Sequence, residues 1–306
     1  MSTVSLRYLV TAGAVAALLG ACGSDDGGSG GGGAGAASSS SSSSSGAVPA
    51  TVSNLSIAPG ATPGTAVVSF TPPSSSVTGY TVTADPGAIT ATGTAGPIAV
   101  TGLTPKVDYT FSVVAHTPSG DSAPVTSGPL GFFDVVETFH EPMTKPYDTV
   151  FTGTFTFDFT AKAVSNLTGS LTEAMTGGGT ECDPICTVNL GHQLSSVPAA
   201  SGGLFVAAFA LDSTDVFAGG GFTPGGTKFF GYPDAANNNN AFALIWVNTT
   251  DPTTAPTQAD LDMLAYADCT PGGMMGSTCM TGTSVAGYGK AGTMGAYPSS
   301  QLITKR

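Results

Sequence analysis

Charged side chains are scarce in this sequence. They make up 9% of the 306 residues, with eight Lys and Arg against twenty Asp and Glu, so the net charge is −12. A nucleic-acid-binding surface needs clustered cations that neutralise phosphates, and eight scattered ones cannot form it. Histidine occurs three times and tryptophan once. We therefore expect no nucleic-acid partner, and few side chains suited to acid–base chemistry or to stacking on sugars.

Common catalytic motifs are also missing from the segments predicted to fold. They contain no G-x-S-x-G nucleophile elbow, no H-E-x-x-H zinc helix and no phosphate-binding P-loop. His140 and His192 lie far apart in sequence from each other, and neither has an evident partner nearby in the sequence. We expect no cofactor and no enzyme activity.

The N-terminus has the pattern of an export signal. Arg7 precedes a short apolar stretch, residues 8–19, which is too short to span a bilayer. The tetrapeptide Leu19-Gly20-Ala21-Cys22 resembles the lipobox of bacterial lipoproteins. That resemblance implies a signal peptide over residues 1–21, cleavage before Cys22 and a lipid on the Cys22 sulfur.

A segment that cannot form a core follows the cysteine. Residues 22–49 are almost wholly Gly, Ser and Ala, and such a chain has no apolar surface to bury. We interpret it as a tether. Gly23 directly after the cysteine resembles lipoproteins sorted to the outer membrane, so we expect the protein in the bacterial cell envelope, on the periplasmic or the outer side of that membrane.

Residues 50–132 read as a β-sandwich, because apolar residues alternate with polar ones and turn signals recur at short intervals. The stretches GYTVTA and GLTPKVDYTFSVVAHTPSG resemble the fibronectin type III family. This resemblance implies an Ig-like fold in which Tyr109, six residues after Leu103, bonds back to the chain. Phe70 stands where the family usually has tryptophan. We interpret the domain as a stalk, with His116 as an exposed residue at a strand end.

Residues 134–306 predict a second, antiparallel β-rich domain with one short helix. Phe151, Phe155 and Phe157 share one parity of a strand, and two continuous apolar runs predict strands covered on both faces. Thr257 and Asp260 form a helix start signal, and the TPGG after Cys269 predicts its end. The segment resembles uncharacterised exported bacterial proteins, which gives no activity to carry over.

Four cysteines of this domain pose a chemical choice between disulfides and a metal site. Cys182 and Cys186 are separated by three residues, and Cys269 and Cys279 by nine, whereas common zinc ribbons use spacings of two. Because an exported chain meets an oxidising compartment, we expect disulfides. Four cysteines allow three disulfide connectivities. We favour the nearest-neighbour one, which joins Cys182 to Cys186 and Cys269 to Cys279.

The sequence favours an envelope-anchored lipoprotein with a binding or structural role, in which the stalk presents the second domain to an envelope polymer, a glycan or a protein. An exported glycan-active hydrolase or carbohydrate-binding protein is the alternative, and a metal-handling lipoprotein is a third. The best candidates for exposed sugar-stacking rings are Phe229, Phe230 and Tyr232.

Overall fold

Strands dominate the structure, as the abundance of Thr, Val and Phe predicts. The computed structural model describes residues 49–140, 148–173, 186–210, 241–267, 281–283 and 297–306, with backbone alone for residues 173, 186, 194, 195, 267 and 281–283. No helix in these ranges is long and apolar enough to cross a membrane. The elements are β1 Ser53–Pro59, β2 Thr65–Thr71, β3 Gly79–Asp85, β4 Ile89–Gly93, β5 Ile98–Thr101, β6 Thr110–Thr117, β7 Gly120–Asp121, β8 Val125–Thr126, β9 Leu130–His140, β10 Asp148–Asp158, β11 Ala163–Glu173, β12 Cys186–Leu190, β13 His192–Pro198, β14 Gly203–Phe209, β15 Phe242–Asn248, α1 Gln258–Leu261, β16 Ala265–Ala267, β17 Thr281–Thr283 and β18 Tyr297–Lys305.

The first eight strands form the predicted sandwich. One sheet has the order β1-β2-β5, and the other has the order β4-β3-β6-β7 with β8 also beside β6. The alternation places Val82, Phe111 and Val113 in the core. The hydroxyl of Tyr109 accepts a hydrogen bond from the Thr104 amide at 2.8 Å, which confirms the predicted bond back to the chain. Phe70 packs on Tyr80 with ring centroids 4.6 Å apart.

The second region is built from two five-stranded antiparallel sheets. We call the sheet β12-β11-β10-β9-β18 the front sheet and the sheet β13-β14-β15-β16-β17 the back sheet. Phe151, Phe155 and Phe157 are fully buried between them, as their shared parity predicts. Gly191 alone separates β12 from β13, so the chain passes from one sheet to the other at a corner.

The two apolar runs form the central strands β14 and β15 of the back sheet, and both are buried on both faces. Trp246 lies in this core, 2% exposed. Its ring packs so closely on Gly203 that a Cβ at that position would lie 2.3 Å from the indole nitrogen. The Gln301 side chain accepts from the Trp246 amide at 2.8 Å and donates to its carbonyl at 2.7 Å. A side-chain amide thus bonds the backbone of β15 as a neighbouring strand would.

The helix begins as predicted but ends early. Thr257 is its N-cap and accepts from the Asp260 amide at 3.2 Å. The expectation that the helix continues towards Cys269 is wrong, because α1 ends at Leu261 and β16 begins at Ala265. Pairing of β16 with β15 supplies backbone hydrogen bonds to a segment whose apolar residues would also fit a helix.

The predicted stalk is not separated from the second region by a linker. Strand β9 begins with Leu130, whose amide and carbonyl bond to Tyr109 of the sandwich, and ends at His140 in the front sheet. The Ile57 carbonyl accepts from Thr156 Oγ1 at 2.8 Å and from Asn166 Nδ2 at 2.9 Å. All of the described residues belong to one compact unit.

Arg306 adds a charged contact across this junction. Its guanidinium donates to the Gly60 carbonyl at 3.1 Å and lies 3.1 Å from the Asp134 carboxylate. Its backbone carbonyl accepts from the Lys106 amide. Beside it, Lys305 Nζ lies 2.7 Å from Asp108. The two regions are therefore joined by backbone, polar and ionic contacts together.

Candidate functional site

Most residues singled out from the sequence lie outside the described ranges. These are Cys22, Cys182, Cys269, Cys279, Phe229, Phe230 and Tyr232. Cys186 begins β12 opposite Glu173, with its backbone alone described. The lipid anchor, the disulfides and the aromatic sugar site therefore stay predictions, and the sites below come from other residues.

The outer face of the front sheet forms a broad polar surface that sequence analysis did not single out. Because side chains alternate along each strand, every second residue of five adjacent strands points outward here. We call this surface the hydroxyl face. Its polar members are Thr138, Thr152, Thr154, Thr168, Ser170, Thr172, Thr187, Asn189, Ser300 and Thr304. Short hydroxyl side chains in cross-strand register make the face flat and rich in hydrogen-bond donors and acceptors.

A shallow depression of about 290 Å³ lies in this face above the register pair Gly153 and Gly169. Phe151 explains the glycines, since a Cβ on Gly153 or Gly169 would meet its ring at 2.7 or 2.6 Å. Thr152 and Ser170 line the depression from outside. The same pair thus admits a large ring on the core side and leaves a hollow on the solvent side.

Apolar exposure is concentrated on the hydroxyl face. Among the described residues, the large hydrophobic side chains that stand exposed are Val136, Tyr297 and Leu302, at 39%, 42% and 60%. Val136 and Leu302 are direct register partners, and Tyr297 pairs with His140, whose ring lies 5.5 Å from it. An apolar strip therefore runs beside the hydroxyls, a combination typical of a binding surface.

The charged side chains at the two ends of the face lie in contact pairs, although the chain as a whole is acidic. Asp134 lies beside Arg306 at one end of the face, and Asp148 lies 2.8 Å from His140 Nδ1 at the other. Between these two ends, no other charged side chain is described on the face, and Asp158, on the same side of β10, lies beyond it against Gly128 of the sandwich. The electrostatics suit an uncharged ligand better than a polyanion or a polycation.

Glu137 is the most unusual ionisable group in the described structure. It points into the core between its register partners Phe151 and Gln301, is fully buried, and neither carboxyl oxygen has a hydrogen-bond partner. Burial raises the pKa of Glu137 well above its ordinary value, because a charge is poorly solvated there. Burial therefore favours the protonated, neutral form of this side chain.

A second polar cluster lies on the fibronectin-like sandwich. His116 Nδ1 is 2.7 Å from Asp121 Oδ1, and His116 Nε2 is 2.8 Å from Thr81 Oγ1. An open groove of about 310 Å³ lies against Thr81 and His116. His116 is half-buried and does not stand alone at a strand end as expected. The missed signal was the close pairing of His116 and Asp121 across the TPSG turn.

Metal binding gains no support from the described part of the chain. No group of three or more His, Cys, Asp or Glu side chains that could hold a metal ion occurs there. The described acids and histidines lie in pairs or alone.

Comparison with known proteins identifies the first region. Residues 50–128 match the family model of the fibronectin type III domain, in agreement with the two-sheet topology and the Tyr109 hydrogen bond. No curated protein matches the chain significantly. The chain is thus a mainly β protein that contains a fibronectin type III domain, and such a domain suggests a binding or structural role.

Proposed function

We propose that this protein is a cell-envelope lipoprotein, held by a lipid on Cys22, that binds a neutral envelope glycan through the hydroxyl face of its second region. The lipobox-like residues 19–22 and the tether of residues 22–49 support the anchor. The fibronectin type III domain supports a binding or structural role.

The observation that carries the ligand class is that one face combines hydroxyls and exposed apolar side chains, while its charged side chains lie in pairs at the two ends. A glycan presents hydroxyl groups that donate and accept hydrogen bonds, and patches of C–H that pack on apolar side chains. Tyr297, 42% exposed, supplies an aromatic ring with a polar end for this contact. Neutral sugars need no ionic partner, and the face offers none that is unpaired.

Binding is tested by depletion of the purified protein onto insoluble neutral polysaccharides, for example β-glucan, chitin and amylose. Thr152→Glu places a carboxylate in the centre of the face, where a neutral ligand would have to desolvate it. We expect Thr152→Glu to lower the affinity for the polysaccharide at least tenfold, and Tyr297→Ala to lower it by a similar factor.

Thr90→Glu is the matched control, because Thr90 is an exposed strand residue of the fibronectin domain. It should bind as the unmodified protein does. Equal binding by the Thr152 variant, or no retention of the unmodified protein on any polysaccharide, would reject the glycan proposal.

The anchor is tested separately with Cys22→Ser. Serine cannot take the thioether-linked lipid, so we expect the variant to leave the membrane fraction, whereas the unmodified protein partitions into detergent. Persistence of the variant on membranes after a salt wash would contradict the anchor and leave the glycan test unaffected.

The remaining cysteines are proposed to form two disulfides that stabilise the second region. Intact mass before and after reduction should show Cys182, Cys186, Cys269 and Cys279 all paired. Each closed loop would stabilise by about 2–4 kcal/mol. Stoichiometric zinc lost on alkylation would indicate a metal site instead.

A further inference from the structure

The cluster of Thr81, His116 and Asp121 has the connectivity of an activated nucleophile. A carboxylate can only accept hydrogen bonds, so the 2.7 Å contact with Asp121 places the proton of a neutral imidazole on Nδ1. Nε2 is then the acceptor, and the Thr81 hydroxyl donates to it at 2.8 Å. A hydroxyl bonded to a base, which is in turn oriented by a carboxylate, is the signature of nucleophilic catalysis.

The fold holds all three side chains at these positions. His116 and Asp121 are direct register partners of β6 and β7, joined by a tight turn in which Thr117 Oγ1 donates to the Gly120 carbonyl at 2.8 Å. Thr81 points outward from the adjacent strand β3. Thr78 fixes the end of β6, because its amide and hydroxyl both donate to the His116 carbonyl, at 2.7 and 3.1 Å.

The site is open to a reactant. The groove of about 310 Å³ is lined by Thr81 and His116 and also by Thr92 and Thr94. Thr92 is the register partner of Thr81 on β4, so its hydroxyl lies beside the reacting oxygen and can donate to a developing oxyanion. Backbone amides of β3 are paired in the sheet and do not serve as such donors. Slow acyl transfer is therefore expected.

We propose that Thr81 is a nucleophile that accepts acyl groups from esters, with His116 as its general base and Asp121 as a positioning residue. In the first step, Thr81 Oγ1 bonds to the ester carbonyl carbon and passes its proton to His116 Nε2. The carbon–oxygen bond to the alcohol then breaks, and the alcohol leaves with that proton. Water then bonds to the acyl carbon as His116 Nε2 takes its proton. The bond from that carbon to Thr81 Oγ1 breaks, the carboxylic acid leaves, and the proton returns from His116 to Thr81 Oγ1.

The test treats the purified full chain with p-nitrophenyl acetate and locates any acetyl group by peptide mass spectrometry. We expect one acetyl group on Thr81. Thr81→Val removes the nucleophile with little change of shape and should abolish the adduct, whereas Thr81→Ser should retain it. His116→Gln should slow acylation about 10²-fold, within the usual range for a general base.

Thr83→Val is the matched control, since Thr83 is two residues further along the same face of β3, and it should react as the unmodified protein does. Asp121→Asn is examined by nitrogen NMR of the imidazole, where we expect the proton to move from Nδ1 towards Nε2. Absence of the Thr81 adduct would overturn its role as nucleophile. Acylation of His116→Gln at the full rate would overturn the role of His116 as general base. An unchanged tautomer in Asp121→Asn would overturn the positioning role of Asp121.

Discussion

The fibronectin type III domain and the second region use the same secondary structure but manage their polar groups differently. In the first, the core contains apolar side chains and two tyrosines, of which Tyr109 has its hydroxyl bonded at 2.8 Å. In the second, the core between the two sheets includes Glu137 without a partner, and Gln301 as a substitute for a strand. The sandwich thus has its unpartnered buried acid oxygen, Asp108 Oδ1, at the junction, where the other oxygen of Asp108 contacts Lys305. The second region instead carries an acid without any partner at its centre.

The largest effect should come from removing a core ring in either region. Phe151→Ala and Phe111→Ala each delete a fully buried side chain, so each should lower the free energy of unfolding by about 3–5 kcal/mol. Because the junction joins the two regions, we expect a single thermal transition for both variants in calorimetry. Two separate transitions in either variant would show that the regions unfold independently.

Arg306→Ala should have the next largest effect, by loosening the junction. The substitution removes the guanidinium, and with it the hydrogen bond to the Gly60 carbonyl and the contact with Asp134. Each hydrogen bond to a charged group contributes about 1.5–3 kcal/mol to the free energy of unfolding. Denaturant unfolding followed separately in the two regions should then give midpoints that no longer coincide. Thr304→Ala, at an exposed neighbouring position, is the control and should change stability by less than about 0.5 kcal/mol.

Tyr109→Phe should lower the stability by about 0.5–1.5 kcal/mol, because the Thr104 amide loses its acceptor while the ring stays in place. This loss would show that the sandwich depends on a hydrogen bond between the Tyr109 hydroxyl and the nearby Thr104 amide, whereas Glu137 in the second region has no such partner. Chemical denaturation measures it. A change below about 0.3 kcal/mol would mean that water replaces the hydroxyl without cost.

Glu137→Gln should change the free energy of unfolding least in acid, and the change should grow as the pH rises. The raised pKa means that folded Glu137 keeps a proton that the unfolded chain loses above about pH 4.3. The folded state then binds more protons, so the free energy of unfolding falls with rising pH until the folded group ionises. The Gln side chain does not ionise, so the free energy of unfolding of the variant lacks this fall with rising pH.

The measurement is the difference in unfolding free energy between Glu137→Gln and the unmodified protein at pH 5 and at pH 8. We expect that difference to shift in favour of the variant at pH 8. A pH-independent difference would mean that Glu137 has the same protonation in both states. Glu137→Met, which replaces the carboxyl with an apolar group of similar length, should stabilise the protein at both pH values.

Much of the fold was predictable because strand periodicity is local. The alternation of Phe151, Phe155 and Phe157, the apolar runs around Trp246 and the cap at Thr257 all correspond to what the structure shows. The helix end was not predictable, since an apolar stripe that reaches Ala265 fits either a helix or the strand that pairs with β15. Only the pairing with a distant strand decides between them.

The sites were harder to predict because they depend on register between distant strands. Thr81 and His116 are 35 residues apart, and the hydroxyl face draws its members from five strands across β9 to β18. Each Thr or Ser is unremarkable in sequence, and the surface arises when the strands are aligned. Glu137 also looked ordinary, since burial of its strand face depends on the second sheet.

The continuity of strand β9 has a consequence for how the gene can be recombined. Fibronectin type III domains suit insertion as cassettes when both borders fall in loops, but this one gives its last pairing strand to the neighbouring sheet. A fragment cut after residue 128, where the family match ends, would lose Leu130, which bonds to Tyr109. A fragment that starts at residue 134 would remove the first four residues of β9, a central strand of the front sheet. A recombination event that moves the fibronectin type III domain or the second region into another protein would therefore have to move both. We expect the two to be inherited together.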